Sequence, residues 1–452
     1  MDETVKINRR KRRKKIIISS LALIFLIAVI ILFLSAKPSD KAVYVTINGS
    51  GDFNCDGIDD QVEINKALAY VAKNSQFTTV HLEGNSTYVI SDSVLIGNNT
   101  ILEGDPTAVI KLEEKTDWPP DKPMITQMDS SGNQDITIRG FEIDGNHDGN
   151  AEKKRGAGYH NLIHFLNSEN IQVYDLYMHD SHGDGLKVTG CSNIRFYNNT
   201  IYKLGHDALY VIYSSNVEAW NNRITCRTNS GLRIYNSNHA KFYNNTINSE
   251  GEGGAGIQVQ KEGSSTVMDD IEIFNNLLYE TNAAGIWITG YGSGYSKDTA
   301  KEIYIHNNKF YKTGTNQGAD WAGGVVLNGF QNTLIENNLF DGCYGAAIAH
   351  KRVKAFSAPE SGYTTIVKNN IIINTQPSHT AGKGYAIFNK LNNTHSFILE
   401  NNCLSNNAGG NYLYANSTSD VNVDNGYVEQ VSKNESMRKK FPWNKALSAG
   451  PQ

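Results

Sequence analysis

The stretch from 193 to 247, NIRFYNNTIYKLGHDALYVIYSSNVEAWNNRITCRTNSGLRIYNSNHAKFYNNTI, repeats itself every 23 residues. Its Asn-Asn pairs fall at 198–199, 221–222 and 244–245, and others follow at 275–276, 307–308, 337–338, 369–370 and 401–402, at steps of 30 to 32. A short alternating strand precedes each pair, as in NIRFYNN and HAKFYNN. A second strand, usually opening on Gly or Ala, recurs once per unit: GLKV, ALYV, GLRIY, GIQVQ, GIWIT, GVVLN and AIAHK. A period just above 20 residues, with two or three short strands in each unit, defines a β-solenoid. One unit has nothing to bury its apolar side against. Stacked units share a continuous core, each strand pairing with its equivalent about 4.8 Å away. The expected fold is all-β, a right-handed parallel β-helix, with the Asn pairs stacked at one bend. Asparagine suits that bend because it tolerates left-handed backbone and its amide bonds along the stack.

Toward the N-terminus, DFNCDGIDDQVEINKALAYVAKNS (52–75) gives turn residues and then an amphipathic helix over 60–73. Val62, Ile64, Ala67, Leu68 and Val71 form its apolar stripe, and Asp59 and Asp60 cap it. The same loop admits a second reading. Asp52, Asn54, Asp56 and Glu63 match a calcium-loop pattern around Gly57, which makes a structural Ca2+ one reading and an acidic helix-capping turn the other. No other cofactor is called for. Further back, the basic run 9–15 precedes an apolar stretch from Ile16 to Ala36, long enough to cross a bilayer as a helix. That length favours a retained anchor over a cleaved signal peptide, with the basic tail cytoplasmic and everything after Pro38 outside. The expected organisation is a basic tail (1–15), a transmembrane helix (16–36), a linker and cap (37–79), the β-helix (80–420) and a C-terminal tail or cap (421–452). Sequons at Asn48, Asn85, Asn98, Asn416 and Asn434 suit an outward-facing chain.

Composition agrees. Net charge is −4 and charged residues are 19%, a balance that argues against a nucleic-acid partner. The five cysteines are scattered and include no CxxC pair, so neither a disulfide framework nor a zinc site organises the chain.

Aligning the second strands in columns brings out a candidate site. The outward position reads Lys187, Tyr210, Arg233, Gln258, Trp287, Val326, and the position before the Gly or Ala reads Asp184, Asp207, Ser230, Ala255, Ala284, Gly323. Asp184 and Asp207 thus occupy equivalent places on neighbouring coils, beside His182 and His206. Stacked carboxylates repel, so one pKa should rise and give a proton donor beside an ionised base, the division of labour that glycoside hydrolysis needs. Lys187 and Arg233 would pair with a uronate carboxylate, Tyr210 and Gln258 would line the groove, and Trp287, Trp321 and Tyr291 would stack on sugar rings. Extra length in the longer coils falls at two corners, in segments such as QKEGSSTVMDD and KTGTNQGADWA, which would wall this face. A turn Asp before Gly, as in HGDGL, is also a common turn former without chemistry.

Three resemblances bear on this reading. The GDGIDD turn and the helix after it resemble the start of pectin-lyase-like proteins, where such a helix plugs the end of the β-helix. HGDGL, GHDAL and SGLRI at 23-residue steps are similar to the polygalacturonase motifs, which implies catalytic roles for Asp184 and Asp207; the pattern departs at His206 and Ser230. GAGIQVQ, NAAGIWITGYGSGYSKD, DWAGGVVLNGF and LIENNLFDGCYGAAIAH, between 253 and 351, resemble the disaggregatase-related proteins of methanogenic archaea. That likeness implies an extracellular depolymerase of an acidic, uronate- and hexosamine-containing polysaccharide such as methanochondroitin. A polysaccharide lyase using Lys187 or Arg233 as base, and a surface adhesin or matrix-binding scaffold, are the competing expectations.

Overall fold

The computed structural model describes residues 41–414, apart from 48, 118, 153–155, 157–158, 251, 264–265, 317, 353–360, 380–381 and 392. The expected anchor at 16–36, the basic tail and the segment 421–452 lie outside these residues. Among the described residues no helix is long and apolar enough to cross a membrane.

Each coil contributes one strand to each of three parallel sheets. In one coil these are Ser192–Tyr197, Thr200–Tyr202 and Leu209–Ile212. Among the described residues the first sheet has 14 strands and the second and third have 12 each; the second and third run in chain order from Ser86–Ile90 and Val94–Ile96 onward, and in the first Phe53–Asn54 lies outside Ala42–Thr46. Among the described strands all pairings are parallel, and apart from that of Ala42–Thr46 with Phe53–Asn54 each joins equivalents on successive coils, for example Ile194 with Val217 and Leu209 with Leu232. Alternation sends Ile194, Phe196, Ile201, Leu209 and Val211 inward, where all are at most 2% exposed. Stacked over the coils they form one continuous core. The solenoid starts earlier than 80, because Ala42–Thr46 already pairs with Thr79–Leu82.

The two members of each Asn pair have separate tasks. The first takes left-handed backbone, with φ from 49° to 56° at Asn198, Asn221, Asn244, Asn275, Asn307, Asn337, Asn369 and Asn401. The second turns inward and builds a ladder. Asn199 donates through Nδ2 to Asn222 Oδ1 at 3.0 Å, Asn222 to Asn245 at 2.9 Å and Asn245 to Asn276 at 3.0 Å. The ladder runs on through Asn308, Asn338 and Asn370 to Asn402. Each Oδ1 also accepts the backbone N–H of the preceding rung, as from Asn199 to Asn222 at 3.1 Å.

Helix α1 (Gln61–Lys73) covers the N-terminal end. It packs on strands that open all three sheets, and Ile64, Ala67, Leu68 and Val71 enter the core. Two details differ from expectation. Val62 is 43% exposed and Gln61 is buried in its stead, tied to Ser91. Asp60 makes no side-chain cap; its carboxylate accepts from Asp56 and Gly57 on one oxygen and from Val89 on the other, fastening the turn to the next strand. Each residue of the expected calcium set has a partner within the protein. Asp52 accepts from the Tyr44 N–H, Asn54 from Thr46 and Gly51, Asp56 from the Ile58 N–H, and Glu63 pairs with Lys66. A strand, Ala42–Thr46, stands where a calcium hand has its incoming helix, and pairing it with Phe53–Asn54 sets these directions.

Removing a buried rung should cost more than removing the bend residue beside it. Asn222→Ala strips four hydrogen bonds and orphans buried groups, for about 2–4 kcal/mol. Asn221→Ala only puts alanine in left-handed backbone, for about 1 kcal/mol. Denaturant midpoints of the two variants give the comparison, and equal losses would contradict the ladder's role.

Candidate functional site on the third sheet

The third sheet holds Lys187, Tyr210, Arg233, Gln258, Trp287 and Val326 in one register, strand after strand. One turn earlier in each coil, a second ladder replaces amides by acids. Asn161 Oδ1 accepts the Asp184 N–H at 2.7 Å, Asp184 Oδ1 accepts the Asp207 N–H at 2.9 Å, and Asp207 Oδ1 accepts the Ser230 N–H at 2.7 Å. Asp184 and Asp207 are therefore rungs of the stack and are fully buried. Such burial departs from the direct proton-donor and base roles expected of the two carboxylates: the hydrogen bonds that bring them together also draw them into the turn.

What reaches outward from the pair is His206. Its Nδ1 lies 2.7 Å from Asp184 Oδ1 and 3.2 Å from Asp207 Oδ2, and its Nε2 meets the side-chain amide of Asn229 at 3.0 Å. The ring keeps 12% of its surface exposed. Gly205 makes this position available, since a Cβ there would run into the carbonyl of His182. His182 itself does not join the cluster. It sits one place off the column of His206 and is fully buried, its Nε2 on the Asn150 carbonyl at 2.9 Å and its ring against His147 and His160.

The electrostatics follow from this burial. Burial raises the pKa of Asp207, and the opposing charges of His206 and Arg233 do not undo it. Burial alone would lower the pKa of His206, but Asp207 and Asp184 outweigh it and the net shift is upward. The cluster thus holds a proton above the pH at which a free imidazole releases one. Arg233 completes it, with Nη1 3.4 Å from Asp207 Oδ2 and the guanidinium carbon 4.4 Å from the Tyr210 ring centroid. Among the described residues, ligand atoms of Asp184, His206 and Asp207 converge within 4.8 Å, as do those of Asp144, His179 and Asp180. In the first group His206 and Arg233 already supply positive charge.

Of the expected substrate-binding residues, Lys187, Arg233 and Trp321 are partly exposed, whereas Tyr210, Gln258 and Trp287 are covered. Tyr210 lies under Arg233 and Lys187. Gln258 spends its amide on Ser230 and Gln260. Trp321, from the loop after Tyr311, lies on Trp287 with ring centroids 4.4 Å apart. Gln260, Tyr235 and Glu262, which were not anticipated, extend the face around Arg233 and Tyr291. Arg233 donates to Gln260 at 2.7 Å, Gln260 bonds Tyr291, and Glu262 accepts from Tyr235 at 2.8 Å and Tyr291 at 2.9 Å. Burial pushes the Tyr291 phenol up to about 12 and raises that of Tyr235, so both remain donors to a half-buried carboxylate. Asn161 and Asn229 stand in the columns of Asp184 and His206, and carrying those columns one coil further in each direction finds them. Glu262 sits in a strand extension of a longer coil, opposite Tyr291, where no column exists until the structure supplies it.

Residues 268–449 match the disaggregatase-related family and residues 124–298 match the right-handed beta helix region. None of the curated protein sequences matches the chain. Solved structures with the same fold include PfbA, a surface adhesin of Streptococcus pneumoniae, at TM-score 0.56 and 16% identity, covering 83% of this chain and 95% of that one. The A-module of the Azotobacter vinelandii mannuronan C-5 epimerase AlgE6 aligns at TM-score 0.54 and 16% identity, over 82% and 96%. The catalytic domain of a GH87 alpha-1,3-glucanase aligns at TM-score 0.50 and 14% identity, over 83% and 70%. At such identities the likeness is one of fold.

A raised histidine pKa stabilises the folded state with the ring protonated. That contribution is complete below about pH 6.5, the ordinary value, and is lost as pH rises through the higher folded value. Wild-type melting temperature should therefore fall more steeply above neutrality than that of His206→Gln. Parallel curves would show that the ring is not held protonated.

Proposed function

We propose that this chain, a right-handed β-helix of the pectin-lyase-like kind with a disaggregatase-related domain, depolymerises an acidic, uronate- and hexosamine-containing surface polysaccharide of the methanochondroitin type. One observation carries the reading: a partly exposed imidazole held between two buried carboxylates, on a face whose neighbouring strands present Lys187 and Arg233. A turn that needed only a cap has no use for two acids, a histidine and an arginine at one place. Asn161 does the same backbone work as a neutral rung one coil back.

In this reading His206 touches the glycan, while Asp184 and Asp207 position it and keep it charged. The imidazolium gives its proton to the glycosidic oxygen as the C–O bond breaks; water adds to the sugar carbon and its proton returns to the neutral ring, which the two carboxylates again hold as imidazolium. Lys187 and Arg233 hold the uronate carboxylate, and Trp321 offers its indole to a sugar ring. The full burial of Asp184 and Asp207 favours a second reading, elimination, in which the same histidine protonates the leaving oxygen and Lys187 takes the proton beside the uronate carboxyl group. The structural likeness to an adhesin defines the non-catalytic alternative.

Incubating the protein with matrix polysaccharide and sizing the products tests the proposal. His206→Gln should slow cleavage by about 10²–10⁴-fold while polymer binding persists. Asp184→Asn and Asp207→Asn should each remove most activity, because both act through the ring. Arg233→Ala should raise KM more than it lowers kcat. Unsaturated uronate in the products, seen by its ultraviolet absorbance, assigns elimination and its absence assigns hydrolysis. Binding by the wild type with no loss of chain length would replace the enzyme reading with the adhesin one.

A further inference from the structure

The outer face of the first sheet carries a separate trough of about 780 Å³. On one side runs a ladder of exposed amides. Asn216 donates to Asn193 at 3.1 Å, Asn193 to Asn170 at 2.9 Å and Asn170 to Asp135 at 2.9 Å, all with φ of 56°. A carboxamide has two N–H donors and two lone pairs, so a ladder bond in each direction leaves hydrogen-bonding capacity facing solvent at about every 4.8 Å. The floor is a row of charges in strict register: Arg195 opposite Glu218, Glu218 opposite Lys241, Lys241 opposite Glu272. Beyond the floor, Tyr174, Tyr197, Trp220, Tyr243 and Phe274 stack ring on ring with centroids 4.2 to 5.7 Å apart, which holds the coils in step and keeps the floor flat.

The alternation is the informative feature. Arg195 and Lys241 are both exposed and lie two coils apart, a spacing of about 10 Å, with an acid between them. A uniformly anionic polymer would meet Glu218 and Glu272 as well as the cations. A glycan with a carboxylate on every second sugar, laid along the axis, would place its charges over the cations and its hydroxyl or amide groups over the acids and the amide ladder. The trough belongs to a different sheet from His206, so a chain lying in it is held without being cut. We infer that this face is a second, non-catalytic binding site for a linear polysaccharide carrying a carboxylate on alternate residues. It rests on the proposed substrate class, and it adds a hold on long chains that short ones cannot use at both places together.

Unsulfated chondroitin, whose carboxylates alternate with N-acetylhexosamine, serves as the probe, with its carboxyl-reduced form as control. In the Arg195→Ala/Lys241→Ala double variant, retention on immobilised long-chain probe should fall by about tenfold or more, and the ratio of long-chain to tetrasaccharide cleavage should fall with it. Wild type should retain the carboxyl-reduced polymer less well than the native one. Unchanged retention in the double variant would overturn the inference, as would equal retention of the two polymers by wild type. If wild type cuts neither probe nor matrix polysaccharide while the double variant still loses retention, the depolymerase reading fails and the second site stands.

Discussion

Every other feature of this protein depends on keeping equivalent residues of successive coils in register. Parallel strand pairing alone tolerates slippage, because a backbone ladder looks alike at each step of two residues. The buried Asn ladder removes that freedom. Each rung bonds the side chain and backbone of its neighbour, and unpairing one would leave polar groups stranded in a dry interior. Long coils and short coils obey the same rule, so 23-residue and 32-residue units place their strands equivalently while their extra residues leave at the corners.

The candidate site is the same device with its chemistry changed. A second ladder, built like the first from side-chain oxygens that accept backbone N–H groups, has two adjacent rungs that are acids. Two buried carboxylates at this spacing need positive charge, and His206 and Arg233 supply it from the solvent side. The result is a proton-holding cluster whose inner half is fixed by the fold and whose outer half reaches the surface. Structural and chemical readings of Asp184 and Asp207 are thus not alternatives. Burial makes them poor direct acids and good supports for an imidazole.

Most of the fold was legible because it repeats. The Asn pairs, the apolar alternation and the column of outward residues each recur, and the register found by aligning Lys187, Tyr210, Arg233, Gln258 and Trp287 is the register of the third sheet. What was not legible is single. Val62 shares the helical period of its neighbours, and only the packing of α1 decides that it faces solvent. His182 and His206 look equivalent in HGDGL and GHDAL, but a one-residue offset sends one into the interior and the other toward the surface. The acidic loop matches a calcium pattern by residue type, and the pattern does not contain the strand before it, whose Tyr44 N–H takes Asp52 as acceptor. Burial of Tyr210, Gln258 and Trp287 comes from neighbours and a loop that no column contains.

The central claim is that His206 is held protonated by Asp184 and Asp207 on a face that receives a uronate-bearing chain. Nuclear magnetic resonance titration of the His206 ring, with and without a chondroitin oligosaccharide, tests it most directly. The expected result is a ring pKa above the ordinary value of about 6.5, lowered in Asp184→Asn and Asp207→Asn and shifted when the oligosaccharide binds. A ring that titrates at or below the ordinary value, and does not respond to either substitution or to the glycan, would contradict it.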